Sequence, residues 1–396
     1  MKYLLLIVGF ASGCAAGAVE NVDEGRDGVG NDHVAATAQP LAAAAACPAP
    51  TLLPVPGPDV TVLGDTGSTL GIFDPSTVYP AGAPGGAMAY SSVANQHSIR
   101  TRVALSNNLG ASWTKVADLN TPEFAILFSN NPAECPIGFC LGWLISEVSS
   151  LIFDPSDPSP GARWKLYAHR YLSEANDRLH YALGTITVQT APAPQGPWTA
   201  PRKLFGWPSS SSYSLDGAQV NIAQLPGLAD CMALTEPSAL WQPDRIDIAM
   251  GCVYPVGEAF KIRVVLVRTR DHGATWTSVG TMLAPGAADC LPGTTPGASV
   301  NAADLFIGPD GRQYLSVTSS DPAYHGCAVF RVDDPLTGHV ERDASGAPRV
   351  LRTIAPQTGQ FAGACSWTPS TGYQMSLGFF NTSRPFRITR ASIPVP

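Results

Sequence analysis

The chain has 396 residues, of which 14% are charged, and its 24 Lys and Arg against 31 Asp and Glu give a formal net charge of −7. This balance, with no basic stripe in the sequence, argues against a nucleic-acid partner, because phosphate binding depends on clustered Lys and Arg. The 38 Gly and 36 Pro residues form a turn-rich composition that is typical of many short strands.

The first residues resemble an export signal. Lys2 supplies a positive charge, and the apolar stretch from Leu4 to Phe10 is too short to span a bilayer. It ends at Ala11-Ser12-Gly13-Cys14, which resembles a bacterial lipobox with Ala11 in place of the usual Leu. We expect residues 1–13 to be a lipoprotein signal peptide and acylated Cys14 to anchor the protein in the cell envelope, at the outer membrane or in the periplasm. The alternative is an ordinary secretory signal.

Residues 14–50 are rich in Ala, Gly and Asp, and Ala42–Ala46 is a run of five alanines. Such a segment cannot bury a core, which predicts a flexible tether. From Thr51 onward, short runs of Val, Ile, Tyr, Phe and Trp alternate with Gly, Pro, Asn, Asp and Ser, and no convincing amphipathic helix is present. This pattern predicts an all-β domain over residues 51–396. Examples of the predicted strands are Ala87–Ser92, Arg102–Ser106, Trp164–His169, Leu183–Gln189, Arg245–Tyr254, Ile262–Thr269 and Gln313–Thr318.

Three acidic motifs precede strand-like runs: Asp74-Pro75-Ser76, Glu147-Val148-Ser149-Ser150 and Glu236-Pro237-Ser238. Their spacing of roughly 70–90 residues fits one four-stranded sheet with its loops, the blade of a β-propeller. Because equivalent positions on different blades face one channel, the three carboxyl groups are expected to meet there. Five inner strands predict five blades, and a sixth would need the long loops near 190–230 or 280–300. The inner strands are Gly71–Val78, Ser146–Phe153, Thr235–Trp241, Ser299–Ile307 and Gly363–Trp367.

Two further segments, Ser106–Trp113 and Thr269–Trp276, share the template S/T-x-D/N-x-G-x-S/T-W. The acidic or amide side chain caps a turn, the Gly supplies a positive φ, and the Trp packs under the hairpin. The template resembles the Asp-box of sialidases and related propellers. In those proteins the turns lie away from the ligand, so we expect Asp271 to be a turn residue and not a catalyst.

The segments Gly71–Trp113 and Ala191–Leu204, together with Glu236-Pro237-Ser238, resemble the five-bladed glycoside hydrolases of family 43, the arabinanase and xylosidase group. The resemblance implies hydrolysis of a poly- or oligosaccharide by three channel acids. It implies that Asp74 is the general base, that Glu236 protonates the leaving oxygen, and that Glu147 orients the acid and tunes its pKa. The chain departs from that family at Glu147, where Asp is usual.

Several other side chains are candidates for sugar binding. His169 and Arg170 follow a predicted strand and can point into the channel, or lie at a solvated strand end. Tyr90 and Trp241 can stack on sugar faces, although core packing is the commoner use of such aromatics, and His325 lies on a later loop. No paired C-x-x-C is present and the seven His are scattered. We therefore expect no metal or cofactor, with a channel calcium left open. We also expect the protein to be a monomer that binds carbohydrate.

Two other functions remain open. A sialidase needs three arginines that grip the substrate carboxylate, and Arg384-Pro385-Phe386-Arg387 lies at the wrong end of the chain for its usual motif. A non-catalytic propeller that binds a glycan or a protein is the other alternative, which the departure at Glu147 favours.

Without Cys14, the chain has eight cysteines, and an even number in an exported protein predicts disulfides. We expect the pairs Cys135–Cys140, Cys231–Cys252, Cys290–Cys327 and Cys47–Cys365. The last pair would join the start of the propeller to its final blade.

Overall fold

The computed structural model describes residues 48–52, 59–80, 83, 85–95, 97–176, 178–257, 259–320, 323–357, 359–369, 372–379, 383–393 and 395. The predicted signal peptide, Cys14, Cys47 and most of the predicted tether lie outside these residues. The helices in the described ranges are three 3-10 turns, at Pro160–Ala162, Ser212–Ser214 and Ile222–Gln224. None of the described helices has the length and apolar character that a membrane span requires.

The rest of the described chain is built from strands in chain order. Two short strands come first, and the first antiparallel sheet follows. These are β1 (Thr51–Leu52), β2 (Val62–Leu63), β3 (Gly71–Val78), β4 (Gly86–Asn95), β5 (Ser98–Ser106) and β6 (Trp113–Asp118). The second sheet contains β7 (Glu123–Phe128), β8 (Phe139–Phe153), β9 (Trp164–Glu174), β10 (Leu179–Ala191), β11 (Arg202–Gly206) and β12 (Val220–Asn221).

The later sheets have the same up-and-down order. The third contains β13 (Ala233–Gln242), β14 (Arg245–Val256), β15 (Ala259–Thr269) and β16 (Thr277–Leu283). The fourth group contains β17 (Val300–Ile307), β18 (Gln313–Ser320), β19 (Tyr324–Asp334), β20 (His339–Val340) and β21 (Arg352–Ala355). The last group contains β22 (Gln360–Thr368), β23 (Gly372–Phe379) and β24 (Phe386–Ala391). Single parallel pairings of β19 with β22 and of β24 with β3 join the fourth group and the first and last groups in one 14-stranded sheet. The long segments near 190–230 and 280–300 form no additional sheet of their own, since only β11, β12 and the end of β16 fall in them.

The middle strands are buried on both faces. In β14, for example, the eight residues after Arg245 are all buried, with no alternation of exposed positions. This is the pattern of a sheet that is covered on both sides by its neighbours. Between the second and third sheets, Ile186, Phe205 and Trp207 share one core cluster with Ile248 and Val265.

The innermost strands contact one another in a closed circle, in the order β3, β8, β13, β17, β22 and back to β3. The start of the described domain completes this closure. Asp59 bridges to Thr389, and the Val60 N–H donates a 2.8 Å hydrogen bond to the Ile388 carbonyl oxygen, beside β24. The fold is therefore an all-β propeller, as predicted, with the ring closed between the two ends of the domain.

Each of these inner strands contains the same bulge. The register shifts by an extra residue, and the first bulged residue has a left-handed backbone. Side chains with a Cβ rarely adopt this conformation, so its recurrence marks a position that the ring imposes. The residues are Asp74 (φ 51), Val148 (φ 47), Glu236 (φ 51), Ala302 (φ 47) and Ala364 (φ 50).

A ring of hydrogen bonds fixes the register of one inner strand against the next. The side chain two residues after the bulged position accepts a hydrogen bond from a backbone N–H of the following inner strand. The bonds are Leu151 N–H to Ser76 (3.0 Å), Ala239 N–H to Ser150 (2.8 Å), Leu305 N–H to Ser238 (2.8 Å) and Trp367 N–H to Asp304 (3.1 Å). The Thr77 hydroxyl donates to the Trp367 carbonyl oxygen at 2.9 Å and closes the circle.

The predicted disulfides are partly confirmed. Cys135–Cys140 and Cys231–Cys252 are both present. Cys327 instead bonds Cys365, with a Cα–Cα distance of 6.4 Å, so the predicted pairs Cys290–Cys327 and Cys47–Cys365 are wrong. The reason is that β19 and β22 run side by side, with His325 opposite Ala362, which places these two cysteines together. Cys290 is disulfide-bonded elsewhere.

Candidate active site

Three carboxyl groups meet in one cavity at the mouth of the channel, here called the upper cavity. Asp74 of β3, Glu147 of β8 and Glu236 of β13 all line it. They are 6%, 8% and 9% exposed, so each acid is largely removed from water. The sequence predicted that these three would converge, and the circle of inner strands brings them together.

Glu147 does not occupy the position equivalent to the other two acids. Asp74 and Glu236 are themselves the bulged residues of their strands, whereas in β8 the bulged residue is Val148. Glu147 therefore corresponds in register to Phe73 and Thr235. The sequence carries the signal for this offset, because Ser76 and Ser238 lie two residues after their acids and Ser150 lies three after Glu147.

Glu236 accepts two hydrogen bonds. The Tyr324 hydroxyl donates to Oε1 at 2.8 Å, and the backbone N–H of Ala302 donates to Oε2 at 2.6 Å. Burial raises the pKa of Glu236 to about 7, and both hydrogen bonds oppose that rise because they favour the charged form.

Glu147 is held by a tyrosine in the same way. The Tyr171 hydroxyl donates to Oε1 of Glu147, and the Tyr171 ring packs against Tyr181 with centroids 4.6 Å apart. Burial raises the pKa of Glu147 to about 7, the hydrogen bond from Tyr171 opposes the rise, and the nearby charge of Glu236 adds to it.

Asp74 has weaker support for a negative charge. Its backbone N–H donates to Ser376 Oγ at 2.6 Å, but the Ser91 hydroxyl lies 3.5 Å from Oδ2, a long contact. Burial, followed by repulsion from Glu147 and Glu236, raises the pKa of Asp74 well above its ordinary value, and hydrogen bonds from Ser91 and Ser376 oppose the rise. The protonated form of Asp74 is therefore favoured relative to that of an exposed aspartate.

The walls of the upper cavity are aromatic and carry no positive charge. None of the described residues that line it is Lys, Arg or His. The aromatic residues in the wall are Phe73, Tyr181, Tyr324, Phe361 and Phe386. A low-dielectric cavity with three uncompensated acids holds a proton donor and a carboxylate side by side, the pair that acid–base chemistry needs at one pH.

A lower cavity continues the channel beneath the acids. It shares Asp74 and Val148 with the upper cavity and is also lined by Ser76, Ser238 and Asp304. Burial raises the pKa of Asp304 to about 8, against the hydrogen bond from the Trp367 N–H. Asp304 thus stands where the other inner strands have Ser.

Three groups of possible metal ligands occur in the described residues, all away from the upper cavity: Cys140, Glu174 and His180; Asp230, Cys231 and Cys252; and Asp154, Asp157 and His272. The cysteines in the first two groups are disulfide-bonded. The Lys165 ammonium pairs with both acids of the third group. These partners leave each group poorly suited to a cation.

The remaining predicted residues do not line the upper cavity. His169 lies behind Tyr171 and Tyr181, with ring centroids at 4.8 and 5.7 Å, and burial lowers its pKa to about 3, so it is neutral. The guanidinium of Arg170 pairs with Glu123 at 2.7 Å.

The predicted aromatic platforms lie in or against the core. Tyr90 is fully buried in a cluster with Met88 and Trp113. Trp241 packs against the core between the second and third sheets, and its indole N–H donates to Ser156 at 3.3 Å. His325 is half-buried beside Tyr324, and burial lowers its pKa.

Three tyrosines of the site were not singled out from the sequence. Tyr171 lies on β9, Tyr181 lies near the start of β10, and Tyr324 is the first residue of β19. Each of these tyrosines lies at the channel end of its strand. That position can be recognised only after the strands have been placed around the ring.

Comparison with known proteins identifies the fold of this chain. No protein-family model matches the chain, and no curated protein matches it. The structure is similar to that of a thermostable family-43 glycoside hydrolase, with a TM-score of 0.50 and 13% identity over 84% of this chain and 91% of that one. A family 117 glycoside hydrolase of the marine bacterium Zobellia galactanivorans gives a TM-score of 0.47 and 10% identity over 85% and 90%. At 13% identity the first similarity shows the fold alone, the β-propeller of glycoside hydrolases.

Proposed function

We propose that this protein is a glycoside hydrolase that cleaves a poly- or oligosaccharide in the upper cavity. The observation that carries the proposal is the burial of Asp74, Glu147 and Glu236 in one cavity. Glycoside hydrolysis requires one carboxylic acid that protonates the leaving oxygen and one carboxylate that acts as base or nucleophile. The propeller fold shared with a family-43 glycoside hydrolase supports the same conclusion.

The hydrogen bonds favour a particular distribution of protons. Glu236 accepts from Tyr324 and Ala302, and Glu147 accepts from Tyr171, so both carboxylates are stabilised. The side chain of Asp74 has serine partners only, Ser91 and Ser376, and no donor from a tyrosine or a backbone N–H as the two glutamates have. We therefore assign the acid to Asp74 and the carboxylate to Glu236, with Glu147 tuning both. This reverses the roles of Asp74 and Glu236 that the resemblance implied.

A test with two leaving groups separates the roles. Asp74→Asn and Glu236→Gln are each expected to lower reducing-sugar release from neutral polysaccharides by at least about 100-fold. A nitrophenyl glycoside, whose leaving group needs no protonation, should restore turnover only in the variant that lacks the acid, Asp74→Asn. Asp310→Asn, on an exposed turn, is the control. Full activity in both active-site variants would end the hydrolase proposal, and rescue of Glu236→Gln alone would restore the roles given by the resemblance.

None of the described residues that line the cavity is Lys, Arg or His, which bears on the substrate. Three acids would repel a carboxylated or sulfated sugar, so the proposal specifies a neutral or positively charged saccharide. It also disfavours a sialidase, whose substrate carries a carboxylate. Arg387, in the segment considered for that role, pairs with Asp59 at 2.8 Å.

A non-catalytic, glycan-binding propeller is the second candidate. It is favoured by the engagement of both oxygens of Glu236, by Ala302 and Tyr324, in bonds that serve the fold. This candidate predicts that the wild-type protein binds glycan but releases no reducing sugar from it.

The remaining proposals concern architecture and location. The recurring bulge on each inner strand supports five blades. The matching bonds from Gly110 N–H to Ser106 and from Gly273 N–H to Thr269 support Asp-box turns. The disulfides support export to an oxidising compartment. We propose lipid attachment at Cys14, which mass spectrometry of the mature N-terminus tests directly.

A further inference from the structure

The hairpin formed by β7 and the start of β8 has an apolar outer face. Phe124, Ile126 and Phe128 alternate along β7 and are 59%, 51% and 72% exposed. Leu141 lies opposite Ile126 on β8 and is 42% exposed, and Ile137 in the connecting loop is 69% exposed. We call these five residues the β7 face. An apolar patch of this kind is as large as the largest one on a typical soluble monomer, and such patches often have a function.

The β7 face is held in a fixed shape. The opposite side of the hairpin packs through Leu127 and Leu144 into a core cluster with Leu172 and Leu183. The Cys135–Cys140 disulfide lies in the same cluster and closes the connecting loop. An apolar surface that is already ordered loses little conformational entropy when a partner covers it.

The chemistry of the β7 face restricts its partner. The residue that precedes the β7 face on its strand is an acid, Glu123, whose side chain is 71% exposed, whereas a membrane-binding surface of an exported protein would carry Lys or Arg beside its apolar residues. Ile and Leu offer no flat ring for stacking on a sugar. An uncharged face is also the part of a chain with net charge −7 that can approach a second copy without repulsion.

The area is sufficient for a dimer. From the exposed fractions, the five side chains present about 500 Å² of surface per copy. Two copies packed face to face would bury about 1,000 Å² in total from these residues alone, which is the lower bound expected of a biological interface, and flanking residues would add to it. A two-fold axis makes the same patch complementary to itself.

We propose that two copies of this chain pack their β7 faces against each other in a symmetric dimer. The proposal departs from the monomer expected from the sequence. It is independent of the hydrolase proposal, since no residue of the β7 face lines the upper cavity.

The test is the solution mass of the full chain carrying Cys14→Ser, which prevents acylation. Analytical ultracentrifugation should give a dimer at micromolar concentration. Ile126→Lys and Phe128→Asp should each weaken it at least tenfold, with the melting temperature unchanged at concentrations where the wild type is also monomeric. Leu336→Asp, at a 59% exposed leucine in the turn between β19 and β20, is the matched control and should leave the dimer intact.

Three results would overturn the proposal. One is a monomer at 100 times the working concentration, and another is a dimer that both β7 variants leave unaffected. The third is binding of a monomeric wild type to phosphatidylcholine vesicles that Phe128→Asp abolishes, which would make the β7 face a membrane surface. If a β7 variant unfolds, amide hydrogen exchange of the wild type replaces it, with protection of β7 expected to rise with protein concentration.

Discussion

Glu236 accepts, through Oε2, a 2.6 Å hydrogen bond from the backbone N–H of Ala302. At three of the other four bulges, this N–H donates to a hydroxyl group on the strand next to the inner strand of the preceding sheet. The pairs are Asp74 with Ser376, Val148 with Ser91 and Ala364 with Thr318. In the third sheet the corresponding position is Gly251, opposite Thr235. Because Gly251 has no side chain, the carboxylate of Glu236 takes the place of the missing hydroxyl.

This double role predicts how substitutions of Glu236 affect stability. Glu236→Ala leaves the Ala302 N–H buried without an acceptor and should lower the free energy of unfolding by about 1–3 kcal/mol. Glu236→Gln keeps an acceptor oxygen and should stay within about 1 kcal/mol of wild type at pH 5, where Glu236 is protonated. Urea denaturation measures both. Equal stability of the two variants would contradict the capping role.

Restoring a hydroxyl at Gly251 should not rescue Glu236→Ala. A Cβ there would lie 2.4 Å from Asn301 Oδ1 and 2.5 Å from Thr235 Oγ1. Gly251→Ser is therefore expected to destabilise the protein further, and a rescued double variant would show that the site has more space than this.

The two buried glutamates, Glu147 and Glu236, predict that the free energy of unfolding falls as pH rises. The pKa values of Glu147 and Glu236 are raised from 4.5 to about 7 in the folded protein. The folded state therefore binds more protons than the unfolded state between these values, and unfolding becomes easier from pH 5 to pH 8. An isolated group with this shift would account for about 3 kcal/mol, and protons shared between the two make the sum smaller.

Urea midpoints across pH 5–8 measure this slope. Glu147→Gln should flatten it, since one titrating group is removed. Asp333→Asn, an exposed acid on β19, should leave it unchanged. A wild-type curve that is flat or rises over this range would contradict the buried-acid description.

The tyrosines that hold the glutamates predict a shift of the pH profile. Tyr324→Phe removes the donor to Glu236 Oε1, which should raise the pKa of Glu236 and move the carboxylate limb of the activity profile to higher pH. Loss of activity should then be larger at pH 6 than at pH 8. Tyr90→Phe is the matched control, since that hydroxyl makes no hydrogen bond within the described residues. Equal loss at both pH values would indicate a packing defect instead.

The charge of the upper cavity predicts an order of ligand binding. Glucosamine, glucose and glucuronate share one ring and carry a positive, zero and negative charge near pH 6.5. We expect glucosamine to raise the melting temperature most and glucuronate not at all, because a positive ligand favours ionisation of the buried acids and none of the described residues that line the cavity is a counter-cation. Glu147→Gln should reduce the difference between glucosamine and glucose. Stabilisation by glucuronate equal to that by glucosamine would contradict the predicted order of binding.

The local parts of this structure could be read from the sequence, and the ring contacts could not. β3 has the bounds predicted for the first inner strand, because apolar runs and turn residues define a strand locally. The convergence of Asp74 and Glu236 was predicted only from the repetition of an acidic motif before each inner strand. The one-residue offset of Glu147, the approach of Tyr324 and the Cys327–Cys365 bond depend on how neighbouring sheets rotate around the channel, and no short segment of sequence encodes that rotation.

The ring of side chains around the lower cavity gives a last contrast between equivalent positions. Ser150→Ala removes the acceptor of the buried Ala239 N–H and should cost about 1–3 kcal/mol at any pH. Asp304→Ser installs the residue that the other strands use, and removes an acid whose pKa is raised to about 8 by burial. Between pH 4 and pH 8 the wild type loses stability as Asp304 becomes charged, so the variant should gain relative to wild type as pH increases and exceed it at pH 9. Paired urea denaturation curves at pH 5 and pH 9 measure this. A variant that is destabilised equally at both values would mean that Asp304 serves the fold independently of its charge, through the hydrogen bond from the Trp367 N–H.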